Sequence, residues 1–139
     1  MVASPASLEA CEPQSILIIG EDPTLIYFAA AGVPPDMDAD KVMQGLNGSR
    51  HRLERLGHDA RILLMRDAET VEAQVSTTLR DHRYDVIVIG EGLRTLLPMA
   101  DQFERLMNVL HEKAPRAKLA FNSRPDDSDK AALRWLSTT

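Results

Sequence analysis

The sequence predicts an α/β fold, a three-layer sandwich in which a four-stranded parallel sheet carries helices on both faces. Three observations predict it. Two short, continuous apolar runs rich in β-branched residues, Ile16-Leu17-Ile18-Ile19 and Val86-Ile87-Val88-Ile89, each stop at a glycine, Gly20 and Gly90. Runs of that length and composition suit strands buried on both faces at the centre of a parallel sheet. Amphipathic helical patterns fill the stretches between strand-like segments. The resulting order, β-α-β-α-β-α-β-α, favours parallel strands joined by right-handed crossovers. The expected strand order is 2-1-3-4, that of a shortened flavodoxin-like or Rossmann-like sheet.

The first strand is the run ending at Gly20. Seventeen residues then separate Gly20 from Asp38, where such connections usually take about two to six. Asp22-Pro23 reads as a helix cap and first helical position, and Gly32 as a stop. The segment between them, Leu25 to Ala31, is apolar all round and needs a cover: its own domain, a site beneath it, or another subunit. The first regular helix carries Val42, Leu46, Leu53 and Leu56 along one face, entered through Asp38 or Asp40 and closed at Gly57. Gly45 and Gly48 each weaken it by about 1 kcal/mol relative to Ala, and mark either close backbone packing or a kink. Ala60 to Met65 is the second strand, and Arg61 within it suits a sheet edge.

Val71, Val75 and Leu79 define the second helix. The third strand is Val86 to Ile89. Leu96, Met99, Ala100, Phe103, Leu106, Met107 and Leu110 define a third, strongly amphipathic helix, with Pro98 admissible only in its first turn. Ala117 to Asn122, bearing Lys118, is the other edge strand. The last helix runs from about Asp127 to Leu136, leaving Leu133, Trp135 and Leu136 available for docking.

A length of 139 residues suits one domain, with residues 1–14 as a flexible tail and 15–139 folded. Sixteen Lys and Arg against 21 Asp and Glu give a net charge of −5, which argues against a nucleic-acid binder. A single cysteine, Cys11, excludes an internal disulfide framework and a Cys-built zinc site. The first fourteen residues lack a basic leader followed by an apolar stretch, and no run reaches the ~20 apolar residues of a membrane span. A cytoplasmic protein with no membrane partner is therefore expected.

In open parallel sheets, ligands bind beyond the carboxyl ends of the strands, where the strand order reverses. Here that point lies between strands 1 and 3. It would receive Gly20, Glu21 and Asp22 from the first strand, Gly90, Glu91, Gly92, Leu93, Arg94 and Thr95 from the third, and Asn122, Ser123 and Arg124 from the fourth. The Gly90-Glu91-Gly92 turn before a helix would present backbone N–H groups to an anion, and Arg94 could grip a phosphate or carboxylate in bidentate fashion. It is not a dinucleotide fingerprint, since it follows the third strand and Thr95 stands at the third glycine position. The alternative is a plain strand-to-helix turn with Arg94 paired to Glu91.

Glu21, Asp22 and Glu91 could also gather as an acidic cluster of the kind that holds Mg²⁺. That pattern resembles the receiver domains of two-component signalling. Glu91 stands where their phosphoacceptor Asp would be, and a fifth strand with its Lys is missing, so a degenerate relative is the most this supports. His51, His58, His82 and His111 read as solvated surface histidines. The basic stretch from Arg50 to Arg66 reads as the wet face of the first helix, or as a surface for an acidic partner.

A wider resemblance rests on Tyr84 to Arg94, on Phe103-Glu104, His111 and Ala114-Pro115, and on Phe121 to Asp127 with Arg134-Trp135. In these residues the chain resembles a group of short bacterial and fungal Rossmann-like α/β proteins for which no activity is established. The resemblance implies a recurring small α/β fold, and neither an activity nor the identity of a cofactor follows from it. The function expected is a binding module for a small anionic or nucleotide-like ligand. The alternative is a non-catalytic homodimer formed through Leu25–Ala31 and the third helix, with Met99 and Met107. An enzyme using Glu21 or Glu91 as acid or base ranks third.

Overall fold

The computed structural model describes residues 14–22, 38–66, 68–91, 93 and 100–136. The four strands, β1 (Ser15–Glu21), β2 (Asp59–Met65), β3 (Val86–Ile89) and β4 (Lys118–Phe121), form one parallel sheet in the order β2-β1-β3-β4. Among the described residues the regular helices are α1 (Ala39–Arg55), α2 (Val71–Asp81), α3 (Ala100–Lys113) and α4 (Ser128–Leu133). α1 and α4 cover one face, and α2 and α3 the other. The protein is a flavodoxin-like three-layer sandwich.

Side-chain alternation along β1 builds both cores at once. Ile16 and Ile18 pack with Val42, Leu46 and Leu53 of α1 and with Ala131 and Ala132 of α4. Leu17 and Ile19 pack with Val71 and Val75 of α2 and with Leu106, Val109 and Leu110 of α3. Residues 16–19 are therefore buried on both sides, which is why the run is continuously apolar rather than alternating. The edge strands differ in the expected way, with Arg61 of β2 and Lys118 of β4 exposed.

Local chemistry sets the ends of α1. The Asp38 carboxylate accepts from the Lys41 N–H at 2.9 Å, the usual N-cap bond. At the other end Gly57 adopts φ +92°, its N–H donates to Glu54 O, and the His58 N–H donates to Leu53 O. That pair of bonds is a Schellman motif, in which glycine carries the left-handed residue. Leu56 lies at this cap and is 57% exposed, so it falls outside the buried stripe that its spacing suggests.

α1 is continuous through Gly45 and Gly48. Gly45 marks close packing: a Cβ there would lie 2.8 Å from Asp126 N and 2.9 Å from Pro125 Cβ. The last helix is shorter than its spacing suggests. Pro125 starts a 3₁₀ turn over Pro125–Asp127, α4 follows, and only Leu136 of the expected docking residues is buried, with Leu133 and Trp135 exposed. Asp127 holds that turn by accepting from the Ser123 and Arg124 N–H groups.

Two of the four histidines depart from the solvated reading. His58 Nδ1 accepts from the Gln14 N–H at 3.1 Å, and Gln14 O accepts from Asp59, so the end of the expected tail is tied to β2. His82 Nε2 lies 3.0 Å from both Ser15 Oγ and Asp59 Oδ2, and its ring packs on Tyr84 at 4.7 Å. These contacts join β1, β2 and the end of α2. Hydroxyl and carboxylate meet the same ring nitrogen, so the trio lacks the opposed geometry of a nucleophilic relay.

Candidate functional site

β1 and β3 close on each other at their carboxyl ends. The Gly90 N–H donates to Ile19 O at 2.8 Å, and a Cβ on Gly90 would lie 3.0 Å from that oxygen. Glycine is thus needed at the switch point for backbone approach. Gly20 sits beside it with its Cα facing Leu46. Leu93 N–H returns to Gly90 O at 3.2 Å, and Leu93 is fully buried. The expected site residues Gly92, Arg94 and Thr95 lie outside the described residues, as do Leu25–Ala31 and Met99 of the expected dimer surface.

Asn122 is buried and turned inward. Its Oδ1 accepts from the Glu91 N–H at 2.7 Å and its Nδ2 donates to Ser128 Oγ at 2.9 Å. A carboxamide has a small set of donors and acceptors, and here they tie the exit of β3 to the start of α4. Ser123 is exposed in the turn below. Asp22 continues the β1–β2 ladder through its N–H to Met65 O. Glu21, Asp22 and Glu91 are not assembled into a metal centre: among the described residues no group of three or more His, Cys, Asp or Glu is placed to hold a metal ion.

Glu21 is the unusual member. It is 8% exposed, and its Oε2 has no hydrogen-bond partner. Its register partner is Met65, and alternation continues the Leu17–Ile19 series, so the carboxyl points to the α2/α3 face. Burial, with a smaller contribution from the charge of Asp22, pushes its pKa above the ordinary 4.5.

On that same face and at that same end of the sheet, α3 begins. Gln102 occupies its inward stripe, 4 and 7 residues before Leu106 and Val109, and is 1% exposed with neither Oε1 nor Nε2 partnered. Native proteins rarely bury a polar atom without a partner, so each such atom calls for an explanation. Sequence reasoning missed Gln102, although a glutamine in register with the apolar stripe of a helix is the available signal. It also missed Lys41 and Gln44, which with Gly45, Arg124, Pro125 and Asp126 line a cavity of about 290 Å³ between the start of α1 and the turn after β4. Arg124 Nε is 3.5 Å from Asp126 Oδ1 there.

The raised pKa of Glu21 has a consequence for stability. The folded state binds this proton more tightly than the unfolded chain. Stability from this group therefore declines as pH rises from 4.5 through the raised value, and the penalty is complete above it. Glu21→Gln is expected to be more stable than wild type at pH 8 and to lose that advantage at pH 4, read by urea unfolding at both values. An equal difference at the two pH values would contradict this.

No family model matches the chain, and no curated protein matches it. Among solved structures, a fragment described as a "putative lipoprotein" from Peptoclostridium difficile 630 aligns with 15% identity and a TM-score of 0.46, covering 86% of this chain and 92% of that one. A likeness at that level carries no argument about activity. No helix among the described residues is long and apolar enough to cross a membrane. What fold and site define together is a small α/β domain with unsatisfied buried polar groups at the carboxyl end of its sheet.

Proposed function

We propose that the protein is a binding module for a small anionic or nucleotide-like ligand held beyond the carboxyl ends of β1 and β3. The observation that carries this reading is the set of buried polar atoms without a partner at that end, Glu21 Oε2 together with Oε1 and Nε2 of Gln102. Ligand contact is a common way for such groups to be satisfied. A carboxyl that retains its proton donates a hydrogen bond to an anionic oxygen instead of repelling it. The Gly90 and Glu91 N–H groups are engaged by Ile19 O and Asn122 Oδ1, so Arg94 would supply the charge complement, and Lys41 and Arg124 add cations at the same end of the sheet.

The test is a thermal-shift and calorimetric series with nucleoside mono- and diphosphates and phosphorylated sugars. A saturable shift is expected, weakened by roughly tenfold in Arg94→Ala, the usual scale for one charge-assisted bond. Binding is also expected to tighten from pH 8 to pH 5 in wild type and to lose that dependence in Glu21→Gln. No shift with any of these compounds, or one indifferent to both substitutions, would remove the reading.

A further inference from the structure

At the opposite, amino-terminal end of the sheet lies a second feature that the crevice does not use. The loop from α2 to β3 and the loop from α3 to β4 enclose a cavity of about 310 Å³. Its cations are Arg83, Lys113 and Arg116, and no carboxylate lines it. Arg83 and Arg116 have no hydrogen-bond or ion-pair partner among the described residues, while Lys113 lies 3.8 Å from its chain neighbour Glu112. Apart from these cations, His82 and the Tyr84 hydroxyl the lining is apolar, with Leu79, Tyr84 and Pro115 its larger side chains, and that apolar part is the floor. His82 borders it but is engaged with Ser15 and Asp59.

Cations near helix C-termini are ordinary, because they offset the partial negative charge there, and α2 and α3 both end at this cavity. Each helix end amounts to roughly half a charge, so two are answered by about one cation. Three full positive charges around one apolar floor exceed that need. Asp81 and Asp85 flank Arg83 in the chain, yet neither lines the cavity, and Asp85 accepts from the Ser15 N–H at 2.8 Å.

We infer that this cavity is a binding site for a small anion carrying a flat apolar body, such as an aryl phosphate or aryl carboxylate. The guanidinium groups of Arg83 and Arg116 take the anionic oxygens, and the ring lies on the Leu79–Tyr84–Pro115 floor. Guanidinium forks match phosphate and carboxylate oxygens in pairs, which favours the two arginines over Lys113 as the primary contacts. The site is independent of the proposed crevice, which lies at the other end of every strand.

The probes are phenyl phosphate, benzoate and inorganic phosphate, titrated into the full-length protein and followed by amide chemical shifts. Phenyl phosphate is expected to saturate below about 10 mM, the range of weak small-ligand sites. Shifts should be confined to residues 79–84 and 113–117. Arg83→Gln and Arg116→Gln should each weaken binding by roughly tenfold. Arg66→Gln removes the same charge from the far end of β2 and should leave binding unchanged. Inorganic phosphate should bind more weakly than phenyl phosphate, and benzoate tells whether carboxylate serves as well as phosphate within the inferred class.

Equal weakening by Arg66→Gln would mean diffuse attraction and overturn the site. Shifts gathered at Gly20–Asp22 and Gly90 would overturn it in favour of the crevice. Equal affinity for inorganic and phenyl phosphate would overturn the role of the floor.

Discussion

Gly45→Val is expected to lower stability by about 3 kcal/mol, the upper range for forcing methyl groups into packed space, and to lower Tm by roughly 10 °C. Helix propensity alone predicts the opposite sign for a glycine replaced within α1, since any side chain restricts the unfolded chain. Packing decides against it. A Cβ at position 45 meets Asp126 N at 2.8 Å and Pro125 C at 3.0 Å, and backbone atoms cannot swing aside as a side-chain tip can. The turn over Pro125–Asp127 would have to separate from α1, carrying with it the start of α4. Gly48 is the control. The nearest atom to a Cβ there is Arg52 Nη1 at 3.2 Å, a side-chain tip that must give by a few tenths of an ångström against its bonds to Asp129 and Asp126, so Gly48→Ala should change stability by no more than about 1 kcal/mol. Thermal and urea unfolding of both variants check the pair. A Gly45→Val protein as stable as wild type would mean that the turn does not bear on α1.

Arg52→Met is expected to cost about 2 kcal/mol at neutral pH, less than the loss of a fully buried ion pair because the Arg52 head is half exposed. Arg52 Nε lies 2.8 Å from Asp129 Oδ2, its Nη2 donates to Asp129 Oδ1 and Asp126 O, and Asp129 is almost fully buried. Ser49 adds a donor to the same carboxylate. Met keeps the apolar stem and removes the charge, leaving a buried carboxylate without its cation. Burial alone would raise the Asp129 pKa, but the Arg52 hydrogen bonds and charge hold it below the ordinary 3.8. A lowered carboxyl pKa contributes stability above 3.8 that is lost as pH falls through the folded-state value. The gap between wild type and Arg52→Met should therefore narrow as pH falls, first through the raised carboxyl pKa of the variant and then through the lowered one of the wild type. A gap that persists undiminished at pH 2.5 would assign the effect to packing of the stem instead.

This latch also revises the sequence reading of the Arg50–Arg66 stretch. Spacing places Arg52 on a solvated face, and only the fold brings it to Asp129, 77 residues on. The same limit explains His82, whose partners Ser15 and Asp59 are remote in the chain. Strand order, the two buried central strands and the edge positions of β2 and β4 were legible because burial on two faces leaves a continuous apolar run. The end of α1 was legible because only glycine readily takes the left-handed turn at position 57. The 3₁₀ turn at Pro125 was not, since a proline before three polar residues also suits the first turn of a helix. At the candidate site, the positions of Glu21 and Gly90 at the ends of β1 and β3 were legible from the apolar runs alone. Asn122 was placed correctly in the chain, but its amide serves the loop after β3, and Gln102 was hidden in a stripe read only for apolar residues.

Central placement of β1 has a cost during synthesis. Ser15–Glu21 is made before the other three strands, yet its neighbours are β2 and a strand about 70 residues later, as the Ser15–Asp85 bond marks. Until Val86–Ile89 emerges, Ile16–Ile19 has one flank unpaired and neither face covered in full. Four consecutive apolar, largely β-branched residues in that condition are prone to pair with other nascent chains. The segment that organises the mature sheet is thus the one most in need of protection while the chain is still being made.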